Sequence, residues 1–294
     1  MAVYRFAHCS DIHQLFLAGL WPFAFFNKRV TGGLNLLLNR RRHYRGEQFG
    51  ALLDALGPLA LDRLVITGDL TNLALASELV YVRQQLASLG LEVTVIPGNH
   101  DAYTRGAARS GVFERELAPF MAGEREDGSL YPFVLAEGPV AFVGCSSAIP
   151  TAPFSARGEL GEAQLARLDR ALDRLARDQP ERARVVLVHH PVSPAHTGPR
   201  RGLVDHAGFA RVIERRGAEL VLHGHEHRAL DYALHGPAGR VVQVHGIPSA
   251  IATSADPARR AAFAVYEVTS DAVGTVAIAR TRHLWDGARF APGE

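Results

Sequence analysis

Short apolar runs rich in Val, Ile and Leu recur along the chain. They alternate with stretches in which apolar residues return every three or four positions. The runs predict strands at Tyr4–Cys9, Arg63–Thr67, Glu92–Ile96, Val140–Cys145, Arg184–Val188, Leu220–Leu222, Val241–His245, Ala262–Val268 and Thr275–Ala279. Helical spacing predicts Gly46–Leu56, Leu73–Leu89, Glu162–Arg177 and His206–Arg216. Within the third of these, Leu165, Leu168, Leu172 and Leu175 form the single stripe of a helix packed on a sheet. Strands alternating with helices indicate an α/β architecture, and the hairpin-like strands near the C-terminus indicate a mixed sheet. No Pro/Ser-rich linker divides the chain. One domain over 1–282 is expected, with an insertion at about 14–45 and a loose tail over 283–294.

Composition narrows the class. A chain of 294 residues, 47% hydrophobic and 21% charged, buries a sizeable core and is not disordered. No repeat recurs at a fixed period. The two cysteines, Cys9 and Cys145, cannot build a disulfide framework or a Cys-type zinc site, and both sit in predicted strands as small buried hydrophobes. The net charge of +2 hides an asymmetry. Between Ile12 and Gly46 there is no acid, but Lys28, Arg29, Arg40, Arg41, Arg42 and Arg45 contribute +6, which leaves the remainder acidic. Such a patch suits phosphate groups or an anionic membrane surface better than a nucleic-acid polymer. A strand begins by Tyr4 with no charged region before it, so no signal peptide is expected. No stretch reaches the roughly 18–20 apolar residues of a spanning helix. A soluble, cytoplasmic protein is expected.

Chemistry-bearing residues gather just after the apolar runs. Ser10-Asp11-Ile12-His13 follows the first, Gly68-Asp69-Leu70-Thr71-Asn72 the second and Pro97-Gly98-Asn99-His100-Asp101 the third. Later come His189-His190-Pro191 and His223-Gly224-His225-Glu226-His227. In open α/β sheets ligands bind beyond the carboxyl ends of the strands, so these five clusters should converge. Residues two apart on an extended segment face the same side, which lets Asp11 with His13, and His225 with His227, chelate one ion. Imidazole and carboxylate donors without thiolates suit Zn, Mn or Fe better than Mg or Ca. Seven donors are too many for one tetrahedral ion but fit two ions sharing a carboxylate. Gly68, Gly98 and Gly224 allow sharp turns and close backbone approach.

The order Asp-x-His, Gly-Asp-Leu-Thr-Asn, Gly-Asn-His-Asp, His-x-Pro, Gly-His-x-His, from about Arg5 to His227, resembles the calcineurin-like metallophosphoesterase superfamily. The Gly-Asp-Leu-Thr and His-His-Pro blocks look most like its bacterial cyclic-nucleotide and glycerophosphodiester phosphodiesterases. The resemblance implies a four-layer α/β/β/α sandwich of two mixed β-sheets flanked by helices. It further implies one ion held by Asp11, His13, Asp69 and His227. A second would be held by Asp69, Asn99, His189 and His225, with Asp69 and a water or hydroxide bridging the two. The implied reaction is attack of that hydroxide on phosphorus, with His100 beside the phosphate to stabilise charge or protonate the leaving oxygen. The substrate is then a phosphoester, a phosphodiester before others. A lipid-linked phosphate or pyrophosphate, as for UDP-diacylglucosamine hydrolases, is the alternative. A non-catalytic protein-binding scaffold of the same fold is the reading from another class.

The other polar residues divide between structure and site. His8, inside a strand, reads as a core histidine, and His190 and His223 as local structure or support for the ligands. His196 and His245 are candidates for the substrate pocket. Asp101 either orients His100 or holds its turn, and Asn72 reads as the N-cap of the helix that follows. The insertion carries five aromatic residues between Phe16 and Phe26 and closes on Arg40-Arg41-Arg42. It reads as a cap packed on the sandwich or as a peripheral contact with an anionic membrane, at the membrane's inner face.

Overall fold

A strand that is apolar on both faces must be covered on both faces, and that requirement sets the architecture here. The computed structural model describes residues 3–14, 16, 46–152, 154–271 and 275–293. The first sheet contains β1 (Val3–Cys9), β2 (Arg63–Ile66), β3 (Glu92–Val95), β11 (Ala262–Ser270), β12 (Val276–Trp285) and β13 (Phe290–Gly293). Their order across the sheet is β13-β12-β11-β1-β2-β3. The second sheet contains β4 (Glu124–Arg125), β5 (Phe133–Glu137), β6 (Val140–Gly144), β7 (Ala183–Leu187), β8 (Leu220–His223), β9 (Leu230–His235) and β10 (Val241–Gly246). It runs β4-β5-β6-β7-β8-β10-β9. Both sheets are mixed: β1, β2 and β3 are parallel, as are β6, β7, β8 and β10, and the remaining strands pair antiparallel.

Period-two alternation divides the core. Phe142, Val185, Leu187, Leu220 and Leu222 point between the sheets, where Phe6 stacks on Tyr266 at 4.9 Å and meets Phe142 edge-on at 5.1 Å. Ala141, Val143, Val186, Val188 and Val221 point the other way. They lie beneath the apolar stripes of α5 (Glu162–Asp178) and α6 (His206–Arg216). The buried faces of α1 (Gly46–Leu56) and α2 (Ala76–Ala87) join the first sheet's apolar cluster, giving the α/β/β/α layering. Each fully buried large side chain contributes about 1.5–3 kcal/mol.

Several elements depart from the sequence reading. β5 and β9 have partly polar faces at the margins of their sheet and escaped the apolar-run criterion. Two short helices, α3 (Arg105–Ser110) and α4 (Val112–Leu117), meet at Gly111 (φ 57°). Residues after Arg282 are not a loose tail. His283, Leu284 and Trp285 finish β12, and β13 pairs back on it with Trp285 opposite Phe290. Phe290 is buried against Phe263 and Trp285, so apolar burial fixes the end of the chain. Asn72 does not cap α2, whose N-cap position is Leu75; the Glu78 carboxylate takes the Leu73 and Leu75 amides instead. The insertion at about 14–45 lies outside the described residues except for Gln14 and Phe16. Phe16 stacks on Tyr81 at 5.1 Å, and its carbonyl accepts the Ser77 hydroxyl.

Candidate metal centre

Every polar cluster singled out in the sequence follows the carboxyl end of β1, β2, β3, β7 or β8, and backbone bonds lace these loops together. Asp11 N donates to Gly68 O at 3.0 Å, His13 N to Asp69 O at 3.0 Å and Gly224 N to His189 O at 3.1 Å. From the far side the Ser249 hydroxyl donates to Asp11 O at 2.7 Å. Asp11, His13, Asp69, His225 and His227 all have left-handed backbone, with φ between 39° and 71°. They are half of the ten described non-glycine residues that do. Such conformations cost on the order of 1–3 kcal/mol each and persist where the surroundings enforce them for a purpose. Here they turn five side chains toward one place. A Cβ on Gly98 would collide with Asp69 Oδ1, and one on Gly224 with Ser10 Oγ and Asp11 Oδ2, so glycine is required at both positions.

The donors fall into two halves joined by Asp69. In the first, one ligand atom each from Asp11, His13, Asp69 and His227 lie within 4.8 Å of one another. His227 Nε2 is 2.9 Å from Asp11 Oδ1 and 3.2 Å from His13 Nε2. In the second, His189 Nε2 lies 3.5 Å from Asp69 Oδ1, 3.3 Å from Asn99 Oδ1 and 3.3 Å from His225 Nδ1. Asp69 offers Oδ1 to this half and Oδ2, 3.8 Å from His13 Nε2, to the other.

Hydrogen bonds select the tautomers. His13 Nδ1 donates to Thr71 O at 3.4 Å and His189 Nδ1 to Thr67 O at 2.7 Å, which turns both Nε2 atoms inward. In each half two imidazole nitrogens face each other, at 3.2 and 3.3 Å, the arrangement of two ligands directed at one ion. Electrostatics says the same. Burial alone would raise the Asp69 carboxyl, but the charges of His189 and His100 hold it well below the carboxylate range. Burial opposes a charge on His189, yet Asp69 and Asp11 push it up to about 9. Burial and the neighbouring His190, His189 and Arg201 charges keep His225 well below the ordinary imidazole value. The donor set therefore fits cations.

His100 stands beside the donors. Its amide donates to Asp69 Oδ1 at 2.8 Å and its Nδ1 to Asn72 O at 2.8 Å. The ring meets His13 edge-on at 4.9 Å and stacks on Tyr103 at 5.3 Å. Asp101 holds the turn: its carboxylate accepts the amides of Gly98, Leu70 and Thr71 at 2.9–3.2 Å. The Asn72 amide donates to His13 O, so Asn72 ties two site loops together.

The other histidines are placed by their partners. His8 is buried, with Nε2 2.9 Å from Thr67 Oγ1. His190 bonds Ser147 Oγ at 2.7 Å and Ala156 O at 3.2 Å, and its ring packs on those of His225 at 4.4 Å and His189 at 5.0 Å, so it supports two candidate ligands. His223 lies 3.2 Å from the Tyr232 hydroxyl, and His196 covers the same tyrosine ring at 4.2 Å. His245 stacks on Tyr266, its Nδ1 3.0 Å from that hydroxyl, and its described contacts do not reach the metal donors.

One group escaped the sequence reading. Arg201 Nη2 donates to the carbonyl of His225 at 3.1 Å, and its Nε donates to Glu226 Oε1 at 3.2 Å. Glu226 Oε1 also accepts the Thr197 hydroxyl at 2.7 Å. Arg201 belongs to a loop without a motif, so only the folded chain shows that it braces a candidate ligand.

Comparison with known proteins follows the same lines. No curated protein sequence matches the chain. Among solved structures, a dimetal phosphatase from Danio rerio is 17% identical, with 90% of this chain and 94% of that chain covered and a TM-score of 0.61. A purple acid phosphatase from yellow lupin (Lupinus luteus) seeds is 11% identical at a TM-score of 0.61, with 99% of this chain covering 53% of that one. At these identities the likeness is one of fold. The sequence model described as calcineurin-like phosphoesterase matches residues 4–229, a span that runs through every loop of the metal centre, and the chain belongs to that family.

Proposed function

We propose that the protein is a dinuclear metal-dependent phosphodiesterase. The observation that carries this reading is the doubled donor set about Asp69, with one carboxylate oxygen toward each imidazole pair. One ion would take Asp11, His13, Asp69 and His227; the other would take Asp69, Asn99, His189 and His225. Two divalent transition-metal ions there, Mn, Fe or Zn by donor chemistry, would supply Lewis acidity toward phosphate oxygens and lower the pKa of water. The chain's own part is orientation and proton handling. The Thr71 and Thr67 carbonyls hold His13 and His189 with Nε2 inward. Asp69 fixes the His100 amide, and the Asn72 carbonyl takes His100 Nδ1. Nε2 is then the atom to hold a proton for the departing oxygen or to steady charge on the phosphoryl group. Preference for diesters rests on the Gly-Asp-Leu-Thr and His-His-Pro blocks, which resemble the bacterial phosphodiesterase branch.

The test is hydrolysis of a bis-aryl phosphodiester beside the aryl monoester, before and after chelation and with Mn restored. Metal-dependent cleavage with the diester ahead is expected. A folded, metal-loaded protein that cleaves neither ester would sink the enzyme reading, and a monoester preference would sink the diesterase assignment. No described helix is long and apolar enough to cross a membrane.

A further inference from the structure

A second concave site lies at the same end of the sandwich. β11 runs antiparallel to β1, so its first residues, and Trp285 beside them, sit at the end where β1 delivers Asp11. There a cleft of 390 Å³ opens between α1, the loop after β10 and the β12–β13 turn. Gln48, Thr253, Ser254, Arg260, Trp285 and Asp286 line it. Gln48 is 4% exposed, its Nε2 reaches Ala252 O at 3.4 Å, and its buried Oε1 has no hydrogen-bond partner. A buried amide oxygen without a donor is costly, and in a cleft the donor comes from what enters. Arg259 is engaged by Asp256 at 3.8 Å and by Glu226 O at 3.5 Å, whereas the Arg260 guanidinium makes no ion pair or hydrogen bond among the described residues. Asp286 on the same cleft has a cation of its own: its carboxylate lies 3.8 Å from the Arg289 guanidinium and also accepts the Ala288 and Arg289 amides at 2.8 and 2.9 Å. The Trp285 indole, edge-on to Phe290 at 5.3 Å, forms an aromatic wall. The unmet demands are an anion at Arg260, an N–H donor at Gln48 Oε1 and a flat group beside the indole. The volume admits a molecule of nucleotide size.

We propose that this cleft binds a small anion carrying a flat N–H-bearing ring, of the nucleoside monophosphate class. The inference is independent of the hydrolytic reading, because Trp285 fluorescence and the Arg260 and Gln48 variants report on the cleft and not on phosphate held at the metal centre. Uridine 5′-phosphate is titrated into the full-length, metal-loaded protein by calorimetry, with uridine and inorganic phosphate in parallel. Fluorescence is followed in a Trp21→Phe background, where Trp285 is the sole indole. The nucleotide is expected to bind and to quench Trp285, with uridine and phosphate each markedly weaker. Arg260→Gln should weaken binding about tenfold or more, Arg260→Lys should recover much of the loss, and Gln48→Met should weaken nucleotide but not phosphate. Should Gln48→Met fail to fold, the partly exposed Arg260 variants carry the test. Nucleotide binding unchanged by Arg260→Gln, heat of binding without Trp285 quenching, or equal quenching by phosphate alone would each overturn the proposal.

Discussion

Replacing Asp69 with Asn tests the shared carboxylate most directly. Asn keeps the shape, tolerates the left-handed backbone at φ 53°, and can still accept the His100 amide. The change removes one negative charge lying 3.5 Å from His189 Nε2 and 3.8 Å from His13 Nε2. At an effective dielectric of about 20, a unit charge pair at that spacing is worth about 5 kcal/mol. That is enough to explain why His189 is held at about 9 although its burial favours the neutral ring. A divalent cation loses at least as much when the carboxylate goes. At about 1.4 kcal/mol per decade, metal binding should weaken roughly 10³-fold. The assay is metal content after dialysis together with titration of the metal-free protein with Mn or Zn. Imidazole nitrogen NMR on metal-free protein adds a second readout. His189 should fall well below about 9 in the variant, because only Asp11 and the Thr67 carbonyl then oppose burial. An Asp69→Asn protein that keeps two tightly bound ions, with His189 still near 9, would refute the reasoning.

Other outcomes follow from the same geometry. His100→Ala should lower turnover about 10²–10⁴-fold and leave metal content unchanged, since its ring bonds Asn72 and its hydrogen bond to Asp69 comes from the backbone amide, which alanine keeps; kinetics beside metal analysis checks both, and loss of metal would contradict the role. Arg201→Gln should cost about 10–100-fold in metal affinity, with partial rescue by Arg201→Lys, because Arg201 fixes the His225 carbonyl; unchanged affinity would reduce Arg201 to a surface residue. Gly224→Ala should lower both the melting temperature and metal retention, since the new Cβ meets Ser10 and Asp11; calorimetry would show a wild-type melt if that loop can yield. Burial holds His8 at about 3 and, with smaller contributions from neighbours, His223 at about 4. For these two groups the unfolded chain takes up protons below about 6.5 that the fold refuses, so their contribution is complete above that pH and falls as pH drops toward 4. The buried Glu78 and Asp101 carboxyls, raised to about 7, act with the opposite sign. Urea midpoints of metal-free protein should lose stability below about pH 6.5 less steeply in His8→Asn than in the wild type, and identical slopes in the two would exclude the contribution.

The sequence alone determined the α/β class, eight strands close to their observed limits with the start of a ninth, and the seven candidate ligands. These depend on local information: apolar runs that suit fully covered strands, and donors placed next to the ends of those strands. Asp11 and His13, or His225 and His227, can be paired from spacing because two residues of one loop cannot lie far apart. Tertiary structure decided which carboxylate oxygen faces which imidazole pair, since Asp69 and His189 are brought to 3.5 Å by strands of different sheets. It also decided the role of Asn72, which looks like a helix cap in sequence but bonds His13 and His100 in space. The edge strands β9 and β13 were invisible because partly polar edges carry no apolar run, and only pairing with β10 and β12 makes them strands. Arg201 and the Arg260 cleft depend on chain segments remote in sequence, so no local pattern could encode them. Local chemistry named the donors; long-range burial and hydrogen bonding placed them, because donor geometry is set by contacts between strands far apart along the chain.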